Sequence, residues 1–131
     1  MDYLVDTMFL IGRWRNQRTG PEQRFIDEHH DVSLGIPWVV KAEFLKGSQY
    51  ARHNADEVAE FINRYRVVWP DETTLMIYAR LYSQLRQSGK MIGQHDLWIA
   101  SSALQTDLTL VTRNVREFFR LSGLRIEDYA K

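Results

Sequence analysis

Asp2-Tyr3-Leu4-Val5-Asp6-Thr7-Met8-Phe9-Leu10-Ile11-Gly12-Arg13-Trp14 opens the chain, and the change of period inside it decides the fold. Residues 2–6 read as a short buried strand, and Asp6-Thr7 then offers side-chain caps for a helix over residues 8–14. The acid therefore falls at the carboxyl end of a strand and at the start of a helix. The same alternation recurs along the 131 residues. Helices are expected over residues 21–29, 37–47, 56–65, 71–88, 94–106 and 115–121, with strands at 31–35, 66–69, 108–112 and 124–126. Pro21 and Pro37 sit at helix starts, where a missing N–H is harmless. In the helix over 71–88, Leu75, Ile77, Tyr78, Leu81, Tyr82 and Leu85 are expected to face inward. Strands separated by helices imply an α/β fold, with a parallel sheet covered on both faces.

Length and composition bound the possibilities. A chain of 131 residues with 44% hydrophobic residues is the size of one domain, so residues 1–131 are expected to form a single unit. Lys plus Arg and Asp plus Glu each total 17, so no global charge signals nucleic acid or membrane, and any such site must be a local patch. The absence of cysteine excludes disulfides, thiolate catalysis and Cys-based metal sites, and agrees with a reducing cytoplasm. No apolar stretch approaches a membrane span, and the opening lacks the basic-then-apolar pattern of a secretory signal. A cytoplasmic protein without a membrane partner is expected.

Three acids stand out against this pattern. Asp6 ends a strand; Glu43 lies in the apolar segment Trp38-Val39-Val40-Lys41-Ala42-Glu43-Phe44-Leu45; Asp96 shares a helical face with Ile99, Ala100 and Ala103. Singly, each has an ordinary explanation as a helix cap or as an acid reaching water through its stem. Jointly they pose an electrostatic problem, because two unit charges about 4 Å apart repel by roughly 4 kcal/mol at an effective dielectric near 20. In an open parallel sheet the ligand crevice lies beyond the carboxyl ends of the strands, which is where Asp6 stands and where the chain arrives after Val111. A divalent cation would reverse the penalty, and oxygen ligands without thiolates favour Mg²⁺ or Mn²⁺ over zinc.

Four blocks carry a family resemblance. Leu4-Val5-Asp6-Thr7, Ala42-Glu43-Phe44-Leu45-Lys46-Gly47, Gly93-Gln94-His95-Asp96-Leu97-Trp98-Ile99-Ala100, and Leu110-Val111-Thr112-Arg113-Asn114 followed by Glu117-Phe118 resemble, in order, the signature blocks of PIN domains. The tail Leu121-Ser122-Gly123-Leu124-Arg125-Ile126-Glu127-Asp128-Tyr129 resembles the VapC-type toxins of bacterial toxin-antitoxin pairs. The resemblance implies a three-layer sandwich around a mainly parallel five-stranded sheet. It further implies a Mg²⁺-dependent endoribonuclease that a small antitoxin protein holds inactive, with a homodimer as the expected assembly. Asp6 and Asp96 would be metal ligands, Glu43 a third acid acting directly or through water, and Asn114 the fourth polar position. Two departures stand out: Met8 occupies a position that is usually Asn, and Asn114 stands where many PIN domains carry an acid, leaving Glu117 as a substitute.

A metal held by these acids would make a bound water more acidic and polarise the phosphate, allowing in-line attack without the 2′-hydroxyl and leaving 5′-phosphate ends. For RNA, Arg13, Arg15 and Arg18 offer phosphate contacts near Asp6, with Arg113 beside the fourth block, and Trp14 could either stack on a base or pack against the sheet. The histidines are expected to be solvated or capping; His29 and His30 are adjacent and diverge by about 100° on a helix. Two alternatives use other chemistry. One is an aspartate-based phosphotransferase with Asp6 as nucleophile, disfavoured because Met8 stands where such enzymes carry a second Asp. The other is a degenerate PIN domain that binds RNA or a protein without turnover.

Overall fold

Strand β1 (Tyr3–Val5) hands the chain to helix α1 (Thr7–Asn16) through Asp6, whose Oδ1 accepts the Phe9 N–H at 2.9 Å and so caps the helix. The computed structural model describes residues 1–131. Helix α2 (Gly20–Glu28) follows with Pro21 in its first turn, then β2 (Leu34–Pro37), α3 (Trp38–Tyr50) and α4 (Ala55–Ile62), which Asn54 caps through the Glu57 N–H at 3.0 Å. Strand β3 (Arg66–Val68) leads to α5 (Glu72–Ser88), started by a reciprocal capping box between Asp71 and Thr74 and ended by Gly89 in the left-handed conformation. Helix α6 (Gln94–Thr106), β4 (Thr109–Val111), the single turn α7 (Val115–Phe118) and β5 (Ile126–Glu127) complete the chain.

The five strands form one sheet in the order β3-β2-β1-β4-β5, and every neighbouring pair is parallel. The expected α/β architecture is thus realised, with the sheet wholly parallel. Chain order runs outward from β1 to β2 and β3 on one side and begins again at β4 on the other, so the order reverses between β1 and β4. In sheets of this kind that reversal opens a crevice at the carboxyl ends of the two strands. Val5 pairs with Val111, so the next residues, Asp6 and Thr112, leave the sheet side by side.

One cluster of 25 buried apolar residues draws on every helix and on β1 to β4, which fixes these elements relative to the crevice. Leu4, Val5, Leu110 and Val111 are fully buried, as central strands covered on both faces require. Two expectations need correction. The second strand begins at Leu34 rather than near Asp31, because Asp31 turns in the left-handed region with φ 64° and the ladder to β1 starts only at Leu34. In α5, Leu75 and Tyr82 are 48% and 42% exposed, whereas Thr74, Leu81 and Leu85 are buried with Ile77 and Tyr78 packed beside them. The stripe that faces α6 lies about one residue around the helix from the expected one. Tyr78 stacks on Trp98 at 3.8 Å, and Trp98 meets Trp38 edge-on at 5.5 Å.

Candidate active site

The crevice is built from a strand end and three helix starts. Asp6, only 6% exposed, has both carboxylate oxygens engaged: Oδ1 by the Phe9 N–H and Oδ2 by the Thr112 hydroxyl at 2.6 Å. Thr112, itself fully buried, accepts the Asn114 N–H at 3.0 Å, so one hydroxyl ties the acid after β1 to the turn after β4. Asn114 stands at the start of α7, and its Nδ2 donates to Asp96 Oδ2 at 3.1 Å and to Glu117 Oε2 at 3.2 Å. Asp96, in the first turn of α6, is half-buried. A strand end, two neutral donors and two further acids are thereby gathered into one network.

The electrostatics of this network are unbalanced. Burial pushes the Asp6 carboxyl up; the Thr112 hydroxyl, the Phe9 N–H and the Arg113 guanidinium oppose that shift. Asp96 is raised to about 6, first by burial, then by its contact and like charge with Glu117 and by the charge of Asp6, with Asn114 opposing. The Tyr129 phenol is also raised, by burial and then by the charges of Asp6 and Glu22. Its ring lies edge-on to Phe9 at 5.0 Å, so the chain's tail closes one flank of the site.

Glu43 is placed differently. It is half-buried on α3, and its Oε1 receives His95 Nε2 at 2.7 Å and Lys46 Nζ at 3.1 Å. No three acids or histidines lie close enough together to hold one metal ion, so Glu43 does not join Asp6 and Asp96 in a three-acid cage. Met8, at the position where the family pattern has Asn, is 59% exposed and brings no polar atom to Asp6.

The arginines divide between surfaces. Arg13 bonds to Gln17 and Gln23 and lines a cleft with Arg18 and Arg64. Arg15 lines a separate groove of about 400 Å³, with Glu43 on its wall. Arg113 is exposed and near enough to Asp6 to act on its charge. Trp14 packs, but against α3 and α4 rather than the sheet: His53 stacks on it at 5.2 Å, with Phe44 and Phe61 against its edges.

The expected capping or solvated role holds for the histidines, with His29 at the C-cap of α2 and His30, His53 and His95 exposed, but three of them also make specific contacts. His29 stacks on Phe25 at 3.9 Å and bonds the Phe25 carbonyl, His53 stacks on Trp14, and His95 holds Glu43. Reading the sequence also missed Thr112 as a site residue. Parallel pairing of the two strongest strands would have found it, since that register sets residue 112 beside residue 6.

Comparison with known proteins places the whole chain. The PIN domain family model matches residues 3–124. Ribonuclease VapC1 of Haemophilus influenzae strain R2866 is 30% identical over 134 aligned positions, covering 100% of both chains. The tRNA(fMet)-specific endonuclease VapC of Shigella flexneri is 28% identical and covers 99% of each. Among solved structures, VapBC-1 from nontypeable Haemophilus influenzae superposes with a TM-score of 0.83 at 30% identity over 100% of both chains. DNA-bound VapBC from Salmonella typhimurium does so with 0.86 at 26% identity over 98% of both. With its whole length accounted for by these matches and its four polar blocks brought to the sheet's crevice and its rim, the chain belongs to the PIN-domain family, among the VapC ribonucleases.

Proposed function

We propose that this chain is a Mg²⁺-dependent endoribonuclease that hydrolyses RNA phosphodiesters, acting in the cytoplasm as the toxin of a toxin-antitoxin pair. The observation that carries the reading is the meeting of Asp6, Asp96, Asn114 and Glu117 at the β1–β4 crevice, with excess negative charge and no bonded cation. The donor set fits a hard divalent ion. All its atoms are oxygens apart from one amide nitrogen, and Mg²⁺ is commonly held by one or two carboxylates while water fills its remaining positions. A two-carboxylate site on Asp6 and Asp96 therefore needs no third acid within reach. Mn²⁺ could substitute.

When bound, the ion would supply a more acidic water and a Lewis acid at the scissile phosphate. The protein's own part is to fix the ligands. Thr112 and the Phe9 N–H hold Asp6 in one orientation, while Asn114 bridges Asp96 to Glu117. Glu117 then serves as the fourth acid, and Asn114 orients it. Glu43, with Oε1 engaged by His95 and Lys46, acts through water. Arg15, in the groove beside Glu43, and Arg113, near Asp6, are the cations best placed for the RNA backbone, with Arg13 in the neighbouring cleft as a further phosphate contact.

The antitoxin follows from kinship with the VapBC complexes, and a second copy would cover the exposed Leu75, Met76 and Tyr82 of α5. An aspartyl nucleophile at Asp6 is disfavoured because the exposed, apolar Met8 stands where such enzymes carry their second Asp. A degenerate domain that binds without cutting is favoured by one observation, the exposed Met8 beside Asp6. Incubating the partner-free chain with cellular RNA and mapping the new ends separates these readings. Mg²⁺-dependent 5′-phosphate ends that vanish with chelator and with Asp96→Asn are expected. Ends carrying 5′-hydroxyl, or cleavage that survives chelation, would refute the reading, and tight binding without cleavage would favour the degenerate domain.

A further inference from the structure

Glu43 is the one acid of the set bonded to a cation, Lys46. Its Oε1 is shared by two donors of different kinds: Lys46, from the same helix at i+3, and His95, from α6. The lysine is 71% exposed on a four-carbon stem, so its hold is weak and it draws the carboxylate toward solvent. The imidazole reaches across from the residue next to Asp96, has only two torsions to fix, and makes the shorter contact at 2.7 Å. A neutral imidazole donating from Nε2–H satisfies the oxygen without cancelling the charge. The groove that Glu43 lines also carries Arg15, a second cation able to capture the carboxylate if it swings away from α6.

We propose that His95 is a positioning residue: its Nε2–H ties Glu43 on α3 to the start of α6 and fixes the carboxylate so that it acts through water on an ion held by Asp6 and Asp96. The proposal rests on the metal reading above and adds the residue that orients one of its acids. Hydrogen-bonding partners of metal-site acids commonly change metal affinity by about 10- to 100-fold when removed, through orientation rather than contact. For an acid acting through water, the lower end is expected here. His95 is 59% exposed, so its replacement leaves the core untouched.

The test is Mn²⁺ binding to the full chain, followed by the loss of the free-ion signal in electron paramagnetic resonance. Expected is a roughly tenfold weakening for His95→Ala and recovery of most affinity in His95→Gln, whose amide nitrogen can donate from a similar position. His95→Ala added to Glu43→Gln should weaken binding no further than Glu43→Gln alone. Wild-type affinity in His95→Ala would overturn the assignment, as would a full tenfold loss when His95→Ala is added to Glu43→Gln. Asp96→Asn distinguishes the two levels: if it too binds Mn²⁺ as the wild type does, the metal reading fails and His95 with it. If Asp96→Asn loses the ion while His95→Ala keeps it, only His95 is wrong.

Discussion

Replacing Asp96 by Asn removes one negative charge from a half-buried position while keeping an acceptor for Asn114 Nδ2 and adding a donor for Glu117. The carboxyl is raised from 3.8 to about 6, so the native protein binds this proton more tightly than the unfolded chain does. Its stabilising effect is full below about pH 4 and is lost as pH rises through about 6. At neutral pH the ionised acid therefore costs stability. Full transmission of the shift would amount to about 3 kcal/mol, and screening at a half-exposed position reduces this to about 1 to 1.5 kcal/mol. For a chain of this length that is a rise of about 4 to 5 °C in Tm. Thermal unfolding in the presence of chelator, compared at about pH 4 and about pH 8, tests it: Asp96→Asn should match the wild type in acid and exceed it in base. A variant no more stable at the higher pH, or one equally stabilised at both, would refute the claim that the fold holds a charge here against burial and repulsion.

Two further outcomes follow from single contacts. Thr112→Val keeps the shape of a fully buried side chain but strips Asp6 of its 2.6 Å donor and orphans the Asn114 N–H; urea unfolding should show a loss of about 3 kcal/mol, and a change under about 0.5 kcal/mol would sink the proposed tie between β1 and β4. Gly12→Ala would drive a methyl group into the Glu22 carboxylate, which is 3% exposed and has little room to withdraw; overpacking of about 2 kcal/mol should outweigh the ~1 kcal/mol that alanine gains inside a helix, and a more stable variant would contradict it.

What the sequence disclosed, and what it withheld, follows the range of the interactions involved. β1 and β4 are legible because Leu4-Val5 and Leu110-Val111 are continuous apolar runs, and a strand buried on both faces needs nothing else to mark it. Asp6 and Asp96 are legible for the same local reason, each lying at the junction of a strand or loop with a helix. The inward face of α5 was not, because Leu75 and Tyr82 are spaced by seven residues just as Thr74 and Leu81 are. Only the packing of α6 decides between the two stripes, and it buries the threonine, which the capping box and Gln105 satisfy. Glu22 is similarly silent. Its burial depends on Gly12 offering no side chain on the neighbouring helix, a pairing that no periodicity records. The bond from His95 to Glu43 joins two helices distant in the chain, and neither neighbourhood announces the other.

The pattern of partners around the acids argues for a division of labour. Asp6 is held by a backbone N–H and a hydroxyl, and Asp96 by an amide; none of these donors carries a charge, so each fixes geometry while leaving the negative charge intact. Glu43 alone is bonded to a cation, Lys46, beside the orienting His95. A fold selected only for stability would have set a cation against Asp6, the most buried acid of the site, and left the more exposed Glu43 to water. The reverse arrangement concentrates uncompensated charge at the β1–β4 crevice, where Asp96 rises to about 6. It makes that crevice, rather than the Glu43 groove, the place where an external cation gains most. Charge retained there at a cost to the empty protein is what the greater stability of Asp96→Asn would measure.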